Sequence, residues 1–431
     1  MKRRDFLKTS IAAAAFAAPA IVPARVLGRN GQVLPSNKIT MACIGVGWQG
    51  TGNMENFLNE SDCQVVAVCD LDAKHLEDAR RIVNSTYHNN DCATYHDFRE
   101  VLARNDIDTV MLGLPDHWHA IPAIAAARAG KDVFGEKPLS HTLKEGRAMV
   151  NAMHKYGRIW QTGSWQRSES NFRFGAELVR NGRIGKVHTV EVGLPAGHTD
   201  FAGTFGQDQI QPPPPELDYD FWLGPAPYAP YAVERVHKNW RWHLDYGGGQ
   251  LMDWVGHHND IAHWGLGYDR TGPVEVQGHG DYPTDGFRDT ATKYWIECTY
   301  AGGVKSILAG GYREIRGGTR WIGDLGWVYV ARSGVIETEP KSLLFEQFGP
   351  NEVHLLNSPG HFRNFIDCVK SRQETITPCE TAHRSTTPGH LGQIAMLLGR
   401  KIKFNPETEE IIGDETASQM LSAAYRAPWR L

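Results

Sequence analysis

No two of the seven cysteines stand at a CxxC spacing; they fall at 43, 63, 69, 92, 298, 368 and 379, with Cys43 and Cys69 inside apolar runs. The pattern excludes a dithiol redox motif and the common zinc frameworks. It reads as buried thiols, although an oxidising compartment would permit one bridge. A dominant charge is missing too. The net charge is -4 and no dense Lys/Arg run follows the N-terminus, so nothing draws the chain towards nucleic acid and a small molecule is the expected partner. Nor is there an apolar run of membrane-spanning length. Ile11 to Val22 is short and rich in alanine, so no stable span is expected.

What is present is an ordinary globular composition, 41% hydrophobic and 22% charged, over 431 residues. That length exceeds one ordinary core and implies two domains. Ahead of them, Lys2, Arg3 and Arg4 precede Asp5-Phe6-Leu7-Lys8, and the alanine-rich stretch ends at Pro23-Ala24. This looks like a twin-arginine export signal, so residues 1–37 are set aside as signal and linker. The expected location is the periplasm, and the export machinery is an expected partner.

Residues 38–160 read as a dinucleotide-binding domain. The run Ile39 to Ile44 leads straight into Gly45-Val46-Gly47-Trp48-Gln49-Gly50 and a helical stretch through Leu58. Strand, GxGxxG and helix in that order let a pyrophosphate approach the helix N-terminus. A second strand ends at Asp70, twenty residues past Gly50, where an acidic residue accepts hydrogen bonds from ribose hydroxyls. Leu71 follows it, where an arginine would suit a 2'-phosphate, so NAD is favoured and NADP is not excluded. Helices and strands then alternate: helices 73–87, 97–104, 118–129 and 142–156, strands 109–115, 132–135 and 159–165. That alternation implies a doubly wound parallel sheet. Two of its loops, Leu114-Pro115-Asp116-His117-Trp118-His119 and Glu136-Lys137-Pro138, overhang the same edge. Leu114, Pro115, His117, His119, Glu136, Lys137 and Pro138 are therefore assigned to the cofactor with Gly45, Gly47, Trp48, Gln49, Gly50 and Asp70.

Residues 161–431 read as a second α/β domain. A helix at 171–181 and a strand at 186–194 lead into a long proline-rich loop region, then Asn239-Trp240-Arg241-Trp242-His243, then Gly247-Gly248-Gly249. A helix follows from Gln250 to Trp264, and Asp253 and His257, four apart, share one of its faces. His258, Asp260 and His263 crowd the same helix, but no further ligand stands at a recognisable spacing, so no metal is assigned. Short runs at 304–311, 327–331 and 334–337 imply a large, open, mostly antiparallel sheet. Helices are expected at 361–371, 382–398 and 416–425, packing back towards the first domain.

Three features in order, Gly45 to Gly50 after a strand, Glu136-Lys137-Pro138 after a later strand, and Gly247-Gly248-Gly249 followed by Asp253 and His257, resemble the Gfo/Idh/MocA oxidoreductases. The resemblance runs from Lys38 to Leu431. It implies hydride transfer between a hydroxyl carbon of a sugar, sugar derivative or cyclitol and a nicotinamide. By that likeness His257 is the general base, Lys137 holds the same oxygen, and Asp253 orients the substrate and tunes both. Trp165, Trp222, Trp240 and Trp242 are expected to stack on a sugar face, with Arg167, Arg241 and His243 as polar contacts.

Two other classes fit the same residues. One is a redox-neutral glycosidase that oxidises its substrate transiently on bound NAD, and the other is a non-catalytic sugar binder. The presence of Lys137, Asp253 and His257 together weighs against the binder. A symmetric dimer or tetramer is expected.

Overall fold

The computed structural model describes residues 37–431. The export-signal reading falls on residues outside that range. Among the described residues no helix is long and apolar enough to cross a membrane.

The first sheet is parallel throughout and reads β3-β2-β1-β4-β5-β6. Its strands are β1 Ile39–Ile44, β2 Cys63–Cys69, β3 Ala93–Tyr95, β4 Thr109–Leu112, β5 Asp132–Gly135 and β6 Trp160–Thr162. Helices α1 Trp48–Leu58, α2 Ala73–Tyr87, α3 Phe98–Leu102, α4 Ala120–Arg128 and α5 Leu143–Tyr156 cover both faces. Both faces being covered is why β1 is apolar from Met41 onwards: Met41 and Cys43 pack with Phe57 on one side, Ala42 and Ile44 with Leu112 on the other. The strand order reverses between β1 and β4, which opens a crevice at their carboxyl ends. Three glycines close the backbone around it. A Cβ on Gly50 would lie 1.9 Å from the Gly45 carbonyl oxygen, and one on Gly113 would lie 2.7 Å from the Gly50 Cα.

After β6 come α6 Ser170–Arg180, β7 Val187–Leu194, the short helix α7 Tyr219–Leu223 and the long helix α8 Gly249–Leu266. Strands β8 Glu275–Asp281, β9 Lys293–Thr299, β10 Lys305–Gly310, β11 Gly318–Gly323, β12 Gly326–Ala331 and β13 Val335–Glu339 follow. The chain ends with α9 His361–Ser371, α10 Cys379–Leu398, β14 Ile402–Asn405, β15 Glu410–Ile411 and α11 Glu415–Gln419. The second sheet has nine strands in the order β13-β12-β11-β7-β10-β9-β8-β14-β15. Only its β7–β10 pairing is parallel. Helix α8 is buried on nearly every side because it lies under this sheet and against α6 and α10. That position explains its weak amphipathicity.

Several elements depart from their sequence expectation for visible reasons. The strand expected over 159–165 stops at Thr162, where Gly163 turns back to the Gly135 carbonyl and a 3-10 turn begins at Trp165. The last helix ends at Gln419, not Tyr425. There the chain peels away so that Trp429 packs 4.8 Å from Trp118 and the Tyr425 hydroxyl donates to Glu145. All seven cysteines are free and buried, and the bridge permitted by an oxidising compartment is not formed.

Helix α9 returns to the first sheet. Its Phe365 and Ile366 join the core of Phe57 and Phe134, and Arg363 donates to Asp62 at 2.6 Å with Lys370 on the other oxygen. Burial alone would raise the Asp62 carboxyl, but these two cations outweigh it and hold it down at about 2. A depressed carboxyl contributes stability above its unfolded value and loses it as pH falls through the folded one. Urea unfolding from about pH 5 to pH 2 is expected to show wild-type stability falling over that window. Asp62→Asn, less stable at neutral pH, should lack that part of the slope; an unchanged slope would exclude Asp62 as its source.

Candidate active site

The crevice between β1 and β4 continues as a cleft towards α8. At its far end Asp70 closes β2, and its carboxylate accepts from the Val46 and Asp72 backbone N–H groups at 2.8 and 2.9 Å. This ties the glycine-rich loop to the second strand. Gly45 sits at φ +78, and a Cβ on Gly47 would come within 3.0 Å of the His75 ring. The loop is therefore bare where a dinucleotide backbone would lie, and the helix N-terminus behind it suits a pyrophosphate. Trp48, Gln49, Asp70, Leu114 and Pro115 line the cleft, as do Glu136 and Lys137 at its inner end. Glu136 is buried and accepts from Asn53 at 2.7 Å, which fixes the loop that carries Lys137. The residues present fit NAD.

A strap crosses this cleft. Residues 196–246 form the proline-rich region, with a small core of their own around Leu217, Tyr219, Trp222 and Tyr246. Its edge is stitched to the first domain where Ala73 N–H donates to the Glu216 carbonyl at 2.9 Å and Asp218 N–H to that of Leu71 at 3.1 Å. Phe201 packs 5.2 Å from Trp48, and the Lys238 and Arg241 cations lie 5.0 and 5.2 Å from the same indole.

At the inner end α8 meets the loop after β5. Gly256 makes the approach possible: a Cβ there would lie 3.2 Å from the Lys137 Cβ, and Ser164 donates to the Gly256 carbonyl at 2.6 Å. Lys137 Nζ donates to Asp253 Oδ1 at 2.7 Å and to the Asp253 carbonyl at 3.0 Å. Arg241 Nε reaches the same carboxylate oxygen at 3.1 Å, its guanidinium 4.3 Å above Trp240. Burial would raise the Asp253 carboxyl, but Lys137 and Arg241 together drive it far below the usual range. One turn on, His257 is buried between Trp165 and Trp254, with ring centroids at 6.4 and 5.6 Å. Burial, with the charges of Lys137 and Arg332, lowers its pKa well below the ordinary value. The imidazole is therefore neutral at physiological pH, and among the described residues its Nδ1 has no partner. Lys137, Asp253 and His257 thus stand together at one end of the nucleotide cleft.

Other expected site residues stand elsewhere. His117 Nε2 lies 3.1 Å from the Trp222 carbonyl, and burial pushes its imidazole down to about 3. His119 bridges the Pro138 and Leu114 carbonyls at 2.7 and 2.9 Å, with burial lowering it to about 4. Both are struts under the cofactor loops, and neither lines the cleft. Gly50 and Pro138 also stand behind it, Gly50 as the contact between helix and strand. Arg167 is buried with Asp260 at 2.7 Å and Asp269 at 2.7 Å, so its charge is already satisfied and it is no substrate contact. His243 hydrogen-bonds the Phe287 carbonyl at 2.9 Å and burial holds it at about 3. Trp242 is fully buried, and its indole N–H donates to Thr199. Trp222 and Trp240 line the cleft, Trp240 beneath the Arg241 guanidinium, and Trp165 stands beside His257.

The polar residues of α8 do not converge on a metal position. His258 meets the Gly193 carbonyl, Asp260 meets Arg167, and His263 meets the Tyr300 hydroxyl. Among the described residues, Asp72, His75 and His237 do bring one ligand atom each within 4.8 Å of one another, on the wall beside Asp70. Two site residues escaped the sequence. Asp116 lines the cleft and is pushed well up by burial, in the same motif as His117 and His119. Arg332 lies in a turn after β12, where nothing local marks it.

Comparison with known proteins matches both halves of the fold. Residues 39–164 match the family description "Oxidoreductase family, NAD-binding Rossmann fold", and residues 171–431 match "Oxidoreductase family, C-terminal alpha/beta domain". Among curated proteins, a glycosyl hydrolase family 109 protein of Shewanella sp. (strain ANA-3) is 31% identical over 160 residues, 33% of this chain and 35% of its own length. Myo-inositol 2-dehydrogenase of Thermotoga maritima is 30% identical over 176 residues, 41% of this chain and 46% of its own. The chain thus spans less than half the length of these relatives. The WlbA dehydrogenase of Bordetella pertussis, solved with NADH and UDP-GlcNAcA, shares the fold with a TM-score of 0.62 at 17% identity, over 85% of this chain and 99% of that one. Scyllo-inositol dehydrogenase of Lactobacillus casei, solved with NAD(H) and scyllo-inositol, shares it with a TM-score of 0.60 at 16% identity, over 85% and 99%. With a glycine-rich cleft shaped for NAD in one half and both halves matched in turn, this chain belongs to the Gfo/Idh/MocA family of oxidoreductases.

Proposed function

We propose that the protein is an NAD-dependent oxidoreductase acting on a hydroxyl carbon of a sugar, sugar derivative or cyclitol. The observation that carries this is the contact of Lys137 with Asp253 at the inner end of the NAD cleft, with His257 one turn further along α8 and under the charge of Lys137. Bound there, NAD supplies the acceptor for the hydride that leaves the substrate carbon. The chain's part is to hold the substrate and move its proton. Neutral His257 offers the hydroxyl proton its Nε2, the ring nitrogen that is not sealed in the protein, and Lys137 stabilises the negative charge that grows on the oxygen. Asp253, held ionised by Lys137 and Arg241, keeps the lysine in place and offers its remaining oxygen to a neighbouring hydroxyl. Trp165 gives the sugar an aromatic wall. The strap over the cleft excludes water and favours a cofactor that stays with the protein between turnovers. A pure binder has no use for a buried, unpartnered base beside a lysine.

A redox-neutral glycosidase is the second reading, favoured by the strap and by the glycosyl hydrolase names among the curated relatives. A dehydrogenase consumes added NAD in proportion to product, whereas the glycosidase releases sugar with no net change in NAD. Export through a twin-arginine signal is part of the proposal: Arg3-Arg4 precede Phe6-Leu7-Lys8, and that route carries proteins already folded around a cofactor. Cell fractionation should place the wild type in the periplasm and retain Arg3→Lys/Arg4→Lys inside.

The direct test is His257→Ala. Loss of a general base typically costs about 10²- to 10⁴-fold in rate. The variant should therefore lose turnover on that scale while keeping NAD affinity, measured by nucleotide titration. Turnover within about threefold of wild type, well under a base's usual contribution, would remove His257 from the chemistry.

A further inference from the structure

Among the described residues, Arg332 is the one cation beside His257 and Asp253 with no carboxylate in contact. Its guanidinium lies between two indoles, 4.7 Å from the Trp165 ring and 4.2 Å from that of Trp254. Its protein hydrogen bond is Nε donating to Gln166 Oε1 at 3.2 Å. The two terminal nitrogens are left over. Arg167 and Arg288 in the same half show the usual arrangement, meeting Asp260 at 2.7 Å and Glu234 at 2.5 Å. The same two indoles flank His257, at 6.4 and 5.6 Å, so guanidinium and imidazole share their walls.

The local charge balance points the same way. Lys137 and Arg241 share the ionised carboxylate of Asp253, and among the described residues no carboxylate contacts Arg332. The other carboxyls at this end are turned elsewhere: Glu136 accepts from Asn53, and Asp116 is pushed well up by burial. Burial also lowers the Arg332 pKa from its ordinary value, with Asp253 acting against it. A half-buried cation without a counter-ion is costly unless a ligand brings one.

We propose that Arg332 recognises a carboxylate on the substrate, so that the sugar oxidised here is an acid sugar such as a hexuronate. The two free terminal nitrogens form the fork that matches one carboxylate bidentately. The indoles hold that fork's plane and exclude competing water. A doubly charged phosphate would call for more than one free guanidinium, and Arg241 is engaged with Asp253 and the Lys238 carbonyl. The assignment rests on Lys137, Asp253 and His257 being the reacting site, since it is their neighbour that Arg332 would hold.

The test is equilibrium binding to the NAD-loaded, full-length protein, read by tryptophan fluorescence. Matched pairs are compared: glucose with glucuronate, galactose with galacturonate, N-acetylglucosamine with its uronic acid, and glucose 6-phosphate as the phosphate arm. At least one uronate should bind roughly tenfold or more tightly than its neutral partner, the scale of a hydrogen bond to a charged group. That ratio should fall to near one in Arg332→Gln and be partly kept in Arg332→Lys. If the glutamine variant does not fold, the wild-type ratio and the lysine variant decide. Neutral partners bound as well as every uronate, no measurable binding of any uronate, glucose 6-phosphate preferred over glucuronate, or a ratio unchanged in folded Arg332→Gln would each overturn the assignment. Binding is read without turnover, so the two claims fail separately. A uronate preference with no change in nicotinamide absorbance would keep Arg332 and remove the redox reading; turnover confined to neutral sugars would do the reverse.

Discussion

The contact between Lys137 and Asp253 joins the two halves of the molecule where the chemistry must occur. One partner stands in the loop after β5 of the parallel sheet, the other on the first turns of α8 in the second half. The pair is nearly buried, with the side chains 12% and 13% exposed. Two charges that far from water are tolerated only when their remaining bonds are made. Here the Asp253 carbonyl and Arg241 make them. Much else can be understood as what this contact requires. Gly256 lacks a side chain so that α8 can come close, Ser164 holds the Gly256 carbonyl, and Asn53 holds Glu136 so that the next residue faces the helix.

The same contact sets the electrostatics of the site. Asp253 is kept ionised although buried, and His257 is kept neutral by burial and by the cations near it. A base that is neutral and a carboxylate that is charged at the same pH come from environments that push the two groups apart. Around them, α9 and α10 carry the last part of the chain back over the first sheet, and the strap covers the cleft. The site is thus held from both halves, and the nucleotide cleft is roofed by a segment outside the regular sheets.

Much of this was legible in the sequence, and the physical reasons are specific. The glycine-rich turn between β1 and α1 is local, since a Cβ on Gly50 would strike the Gly45 carbonyl oxygen 1.9 Å away, and local constraint is what a sequence displays. Asp253 and His257 could be placed on one face because helical spacing needs no tertiary knowledge. Partners were not legible. Arg167, His117, His119 and His243 have the residue types of a sugar site, but each is claimed by a carbonyl or carboxylate distant in sequence: His117 by Trp222, Arg167 by Asp260, His243 by Phe287. Strand β8 escaped because Gly278 and Gly280 stand where side chains would alternate, there to admit Met396 of α10. Arg332 escaped because its meaning lies in Trp165 and Trp254, brought to it by a turn and a helix far away in the chain.

The measurement that bears most directly on the central claim is the near-ultraviolet absorbance of the purified protein, with no nucleotide added, as acid sugars, neutral sugars and cyclitols are introduced in turn. A reduced-nicotinamide band appearing with one of these classes is the predicted result, since it requires a retained cofactor and a competent Lys137, Asp253 and His257 together. Protein that releases no nucleotide on denaturation, and that shows no band with any of them even when NAD is supplied, would contradict the account.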